Sequence, residues 1–222
     1  MPPITFIDAQ AFTAALEAPV PRRARPGDLL LAAVLTTHTA DLELPDGWEQ
    51  LARLAAPTDA AAAVWLVRHR VTDAEPASHA FAVDAGDAWG AVLLYRGLAE
   101  VAYVAAQAND QASATGHAAP AVTPTTYSDL LLCVWGTFTA RTWTPPGNMT
   151  ERFDAENPGA ATATLAIADR LPESTSSTGT ETATASSACT AIACAFLLAA
   201  TPPPHAVSIV RPTPGAIGIQ EV

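Results

Sequence analysis

The sequence contains no lysine. All 11 basic residues are arginine, against 22 acidic ones, giving a formal charge of −11 over 222 residues. That balance excludes the cationic footprint with which a protein releases counterions from nucleic acid or settles on an anionic membrane. The one basic cluster, Arg22, Arg23 and Arg25, reads as a loop tie rather than a phosphate site. Cysteine is scarce too. Cys133, Cys189 and Cys194 are an odd set without C-x-x-C spacing, so neither a disulfide framework nor a thiolate metal motif is encoded. Cys194 shares strand parity with Ile192 and Phe196 and is expected in the core. Cys189 lies at the opposite parity and is expected to be exposed, which argues against a bridge between the two. Long apolar runs are also missing. The longest, 29–35 and 191–200, fall short of the roughly 20 residues that cross a bilayer, and the start Met-Pro-Pro-Ile-Thr-Phe-Ile-Asp lacks a secretory pattern.

Catalytic signatures are absent as well: there is no G-x-S-x-G elbow, glycine-rich phosphate loop, H-E-x-x-H or calcium loop. His38, His69, His79, His117 and His205 show no i, i+2 or i+4 pairing, so each reads as a surface or edge residue rather than a metal ligand. Close carboxylate pairs such as Asp84 with Asp87, or Glu151 with Asp154, are expected by chance in so acidic a chain. Asn148-Met149-Thr150 fits the glycosylation pattern, which carries no weight without a secretory signal. The expectation is therefore no catalytic residue, no metal and no cofactor. An enzyme would declare itself by a histidine and a carboxylate converging on one pocket.

What is present is a β pattern. Proline and glycine punctuate apolar runs of about five to nine residues that lack the helical i, i+3, i+4, i+7 stripe. The 50 alanines reflect compositional bias and are a poor helix signal. Strands are predicted over 4–7, 29–36, 48–54, 62–71, 78–83, 90–95, 101–106, 130–138, 149–154, 161–168, 180–185 and 191–198. One stretch dissents: Gln10 to Glu17 reads as two turns of helix, stopped by Pro19 and Pro21.

The chain also aligns with itself at an ungapped shift of 101 residues. Asp28-Leu29-Leu30-Leu31 falls on Asp129-Leu130-Leu131-Leu132, and Pro45-Asp46-Gly47-Trp48 on Pro146-Gly147-Asn148-Met149. Val64-Trp65-Leu66 meets Leu165-Ala166-Ile167, and Ala91, Leu93 and Tyr95 meet Ile192, Cys194 and Phe196. Such periodicity implies two related halves. The predicted fold is all-β, a jelly-roll-like β-sandwich over 1–200 made of pseudo-repeat halves, 26–106 and 127–200, joined by a connector at 107–126. A proline-led, extended C-terminal arm, 201–222, follows. One merged domain is favoured, because each half offers only about five or six strands.

Of five tryptophans, the repeat sets Trp48, Trp65 and Trp135 opposite apolar residues and so in the core. Trp89 and Trp143 are left as candidates for ligand binding, by the ring stacking that carbohydrate-binding modules use.

Several of these segments resemble a family. Pro26-Gly27-Asp28-Leu29-Leu30-Leu31-Ala32, Leu44-Pro45-Asp46-Gly47-Trp48, Glu75-Pro76-Ala77-Ser78-His79-Ala80-Phe81 and Ala91-Val92-Leu93-Leu94-Tyr95-Arg96-Gly97 are similar to virion structural proteins of tailed phages of high-GC bacteria, as is Pro145 to Asp154. The resemblance implies a capsid-decorating or minor tail protein, with a jelly-roll-like sandwich and no cofactor. It also implies contacts with other capsid or tail proteins, homo-oligomers with trimers among them, and a place in the virion after synthesis in the host cytoplasm. No catalytic residue is carried over. Head decoration is favoured over the tail, since the chain has no coiled-coil or collagen-like segment. The alternative is a carbohydrate-binding module for attachment to a host glycan, which requires Trp89 and Trp143 to be exposed.

Overall fold

The computed structural model describes residues 4–56, 58, 61–97, 101–126, 129–157 and 162–200. The arm expected over 201–222 lies outside them. Fifteen strands follow one another with no helix among the described residues: β1 (Thr5–Ala11), β2 (Glu17–Pro19), β3 (Leu29–Thr37), β4 (Leu42–Glu43), β5 (Trp48–Ala56), β6 (Ala62–Arg70), β7 (Ser78–Ala80), β8 (Ala82–Val83) and β9 (Ala88–Arg96), then β10 (Val101–Ala119), β11 (Leu130–Thr137), β12 (Trp143–Thr144), β13 (Thr150–Glu156), β14 (Thr164–Arg170) and β15 (Glu181–Ala200). The fold is an all-β sandwich.

Two expectations need correction. Gln10 and Ala11 end β1, and the chain then turns into β2, so the predicted helix is absent. Its apolar residues serve sheet packing instead: Phe12 is buried against Phe81 with ring centroids 5.0 Å apart. Residues 107–119, expected as connector, continue β10 and pair along β15. Their small Ala, Ser and Thr side chains follow a strand as readily as a loop, and the long partner supplies the backbone bonds.

Each half makes its own sheet. The first runs β1-β9-β3-β6-β5 and the second β10-β15-β11-β14-β13, all antiparallel. Registers correspond at the shift of 101: Leu30 faces His69 as Leu131 faces Arg170, and Glu49 faces Arg68 as Thr150 faces Asp169. The bulge in β5 between Gln50 and Ala52 has its counterpart in β13 between Glu151 and Phe153. In the last strand the correspondence slips by two residues. Leu29 faces Tyr95, whereas Leu130 faces Leu198 rather than Phe196, so β9 and β15 match with parity preserved.

The sheets lie face to face, β10 against β5, β15 against β6, β11 against β3, β14 against β9 and β13 against β1. For these pairs, exchanging every strand for its counterpart returns the same set, as in an isologous interface, while β11 also meets β6 and β15 also meets β5. From the second sheet the inner face contributes Leu130, Leu132, Val134, Ile167, Phe196 and Leu198, packed into one cluster with Leu31, Leu93, Trp89 and Tyr95 of the first. Gly136 keeps this approach close: a Cβ there would lie 2.8 Å from Leu35 Cδ1. The outer face of the second sheet, with Leu131, Cys133 and many alanines, is covered by Trp143, Met149 and Val122.

A polar tie crosses the same interface. The buried Tyr95 hydroxyl donates to Asp169 Oδ2 at 2.6 Å, and Arg152 Nε donates to Asp169 Oδ1 at 2.8 Å. Burial pushes the Asp169 carboxyl up, against the opposing pull of Tyr95 and Arg152.

Leu132 is fully buried between the sheets. Leu132→Ala is expected to cost about 2–5 kcal/mol in urea denaturation, from lost burial and the cavity left behind. A second prediction concerns Asp129, which immediately precedes β11 and accepts bonds from the Thr125 and Thr126 amides, at 2.6 and 2.9 Å, and from both hydroxyls. Burial raises its pKa, but these four bonds outweigh that and hold it below the ordinary 3.8. Its contribution is therefore present above pH 3.8 and is lost as pH falls through the lower folded value. Asp129→Asn should destabilise by about 1–3 kcal/mol at neutral pH, and the deficit should shrink on acidification in denaturation curves taken across that range.

Candidate functional site

Where β6 ends, its polar residues meet two turns. The Pro-Asp-Gly-Trp turn closes with the Trp48 amide donating to the Pro45 carbonyl at 3.1 Å, and Gly47 sits at φ 79°. Only glycine takes that conformation without strain, and a Cβ there would press on the His69 ring at 3.2 Å. The Gly47 carbonyl is thereby set 2.9 Å from His69 Nδ1. Beyond β6 the chain turns again, and Glu75 Oε2 accepts the Thr72 amide at 2.7 Å and its hydroxyl at 3.1 Å, a local turn bond of the kind that fixes such corners. Strand β7 then brings in His79.

These residues converge on one carboxylate. Glu75 Oε1 lies 2.9 Å from His69 Nε2 and 2.7 Å from His79 Nε2. All three side chains are at most a tenth exposed. The rings are held by Trp48, stacked on His69 at 5.4 Å and edge-on to His79 at 5.4 Å, with the two imidazole centroids 4.7 Å apart. Burial pushes the Glu75 carboxyl up, but the bonds from Thr72, His79 and His69, with the charge on His69, outweigh it and hold it below the ordinary range.

The protons can be placed by elimination. The Gly47 carbonyl has only lone pairs, so His69 Nδ1 carries a hydrogen. A neutral His69 would then aim the Nε2 lone pair at a carboxylate that also only accepts. A second positive centre must stand between them, either another proton or a cation.

The same place in the second half is built differently. Arg170 stands at the position of His69, Asn148 at that of Gly47, and Glu181 faces Ala119 as His79 faces Ala18. Arg170 Nε and Nη2 donate to Glu181 Oε1 at 3.0 and 2.7 Å, joined by Asn148 Nδ2 at 3.2 Å. Both halves therefore pin the outer ladder to the main sheet with polar side chains, and the first half does so with two buried imidazoles.

No family model, curated protein or solved structure matches this chain.

The tryptophans expected to bind a ligand lie elsewhere. Trp89 is 0% and Trp143 4% exposed, so neither offers a ring face to a glycan. Trp89 donates to the Phe12 carbonyl at 3.3 Å and packs on Phe153, while Trp143 Nε1 points to Thr164 Oγ1 at 3.4 Å. The signals were available: Trp89 shares parity with Leu93 and Tyr95, and the repeat sets Trp143 on the buried Leu42.

The histidine expectation is also corrected. His69, His79 and His117 are buried, and two of them share a carboxylate. His117 Nε2 lies 2.9 Å from the Ala114 carbonyl and 3.6 Å from Cys189 Sγ, and burial pushes its pKa down. Cys189, expected outside, is buried with it, and all three cysteines are free. Sequence spacing did not reveal the cluster, because His69 is ten residues from His79 and the turn at Glu75 closes the gap. Glu75→Ala should cost about 1–3 kcal/mol in urea denaturation, since it strips both imidazoles and the Thr72 amide of their acceptor.

Proposed function

We propose that this chain is a virion structural protein, of the capsid-decorating or minor tail type of tailed phages, acting through protein–protein contacts. Head decoration is the form favoured here. The observation that carries the reading is that both halves repeat one strand order, one register and one bulge. We read each half as a jelly-roll unit and the chain as an internal duplication. The order β1-β9-β3-β6 with the outer ladders β2-β7 and β4-β8 supports that reading. In the second half, β10 and β15 each run through both layers, and β12 pairs the outer part of β15.

Jelly rolls recur in virus capsids and lectins, so the fold by itself selects no role. Two further features support the assembly reading over a lectin-like one. The motifs quoted above resemble virion proteins, and both candidate sugar-stacking tryptophans are buried. The outer surface is polar: among the described residues Leu171 is the exposed large hydrophobic side chain. Contacts of this type would be made with capsid or tail proteins and between copies of the chain, threefold sets included.

The test is quantitative mass spectrometry of purified particles separated into heads and tails. The expected result is the chain in the head fraction at a fixed copy number. Its presence in tails alone would favour the minor tail form, and its absence from both fractions would overturn the structural role.

A further inference from the structure

We propose that His69, Glu75 and His79 form a binding site for a divalent transition metal of the zinc class, ligated by the Nε2 atoms of both imidazoles and one Glu75 carboxylate oxygen. The three ligand atoms lie within 4.8 Å of one another. Two nitrogens and a carboxylate oxygen are a donor set that zinc accepts, with a fourth position left for water.

Three observations carry the assignment. The first is the unmatched polarity already described: His69 Nδ1 is committed to the Gly47 carbonyl at 2.9 Å, and its Nε2 faces an acceptor, which a cation resolves. Metal-bound imidazoles commonly make this very bond, donating the remote N–H to a backbone carbonyl, which fixes the ring and its tautomer. The second is support around the ligands. Thr72 holds Glu75 through Oε2, which also lies 3.2 Å from His69 Nε2, while Oε1 faces both rings and Trp48 fixes both planes. The present separations of 2.9 and 2.7 Å are those of shared protons. Tetrahedral bonds of about 2.0–2.1 Å would need the ligand atoms roughly half an ångström further apart.

The third is access. Glu75 borders a surface groove together with Asp8, Arg22 and Asp73, and His69 borders a second with Gly47 and Glu49, so an ion can reach the cluster without the core opening. The second half has no such ligand set at the corresponding place, where Arg170 and Glu181 form an ion pair. The metal would thus staple the first half's outer ladder to its main sheet, as that ion pair does in the second.

The test is competition of the purified full chain with a chromophoric chelator for zinc chloride near neutral pH, with proton release followed in parallel. The proposal expects one zinc per chain with release of protons, weakened by roughly tenfold or more in His79→Gln and Glu75→Gln. The triple variant H69R/E75S/H79E copies Arg170, the serine at 176 and Glu181, and should fold by circular dichroism while losing the site. No zinc uptake by the wild-type chain, or uptake undiminished in the triple variant, would overturn the assignment. If the variants fail to fold, X-ray absorption of the zinc-loaded wild type decides: two imidazoles with a carboxylate support it, and any other first shell contradicts it.

Discussion

The structure depends on one interaction, the burial of the inner apolar face of each sheet against the other. The outer face of the second sheet is covered by its own half, through Trp143, Met149 and Val122, but Leu130, Leu132, Phe196 and Leu198, among the described residues, are covered by the first half. At about 25 cal/mol per Å² of apolar area, a face of this kind left in water would be a large liability for a chain of modest net stability. The alanine-rich composition sharpens the point. Many strand positions are too small to fill space alone, so the larger side chains, Leu130, Leu132, Ile167, Phe196 and Leu198 among them, fill the space where the halves meet. The Tyr95–Asp169–Arg152 tie adds orientation to an interface that area alone would leave free to slide.

Equivalence between the halves ends where polar side chains pin the outer ladders. A guanidinium and a carboxylate satisfy one another outright in the second half. In the first, two imidazoles and one carboxylate meet, and the protonation arithmetic leaves room for a cation. The two corners also differ in what they need from the turn. Gly47 must be glycine to admit the His69 ring, whereas Asn148 reaches forward with a side chain of its own. The first half therefore carries a side-chain set that the corresponding place in the second half lacks, which sets the proposed site apart from the assembly role proposed for the whole.

Much of the fold was legible because β patterns are local. Apolar runs between Pro and Gly gave most strands, and the shift of 101 sets side by side residues that hold matching register positions in the two sheets. Its failure in the last strand is instructive. Two extra residues restore the pairing of Leu130 with Leu198 without changing parity, so an ungapped alignment still placed side chains on the right faces. Gln10 to Glu17 misled because its short apolar spacing suits a helix or a strand and turn equally, and tertiary pairing decided. Cys189 and Trp143 misled for a related reason: the cover of the outer face comes from loops and short ladders, which leave little periodic trace. The histidine cluster was invisible because it is made by β6, a turn and β7, and no sequence spacing encodes which turn closes on which strand.

A scaffold of two mutually buried sheets is consistent with the assembly role proposed above, and the same burial couples the halves energetically. The most direct test is native-state hydrogen exchange followed by mass spectrometry at rising denaturant, comparing the amides of β3 with those of β11. If the two sheets share one core, both strands will open in a single global unfolding with the same free energy and denaturant dependence. Exchange of one strand through an independent opening, with the other still protected, would contradict the account.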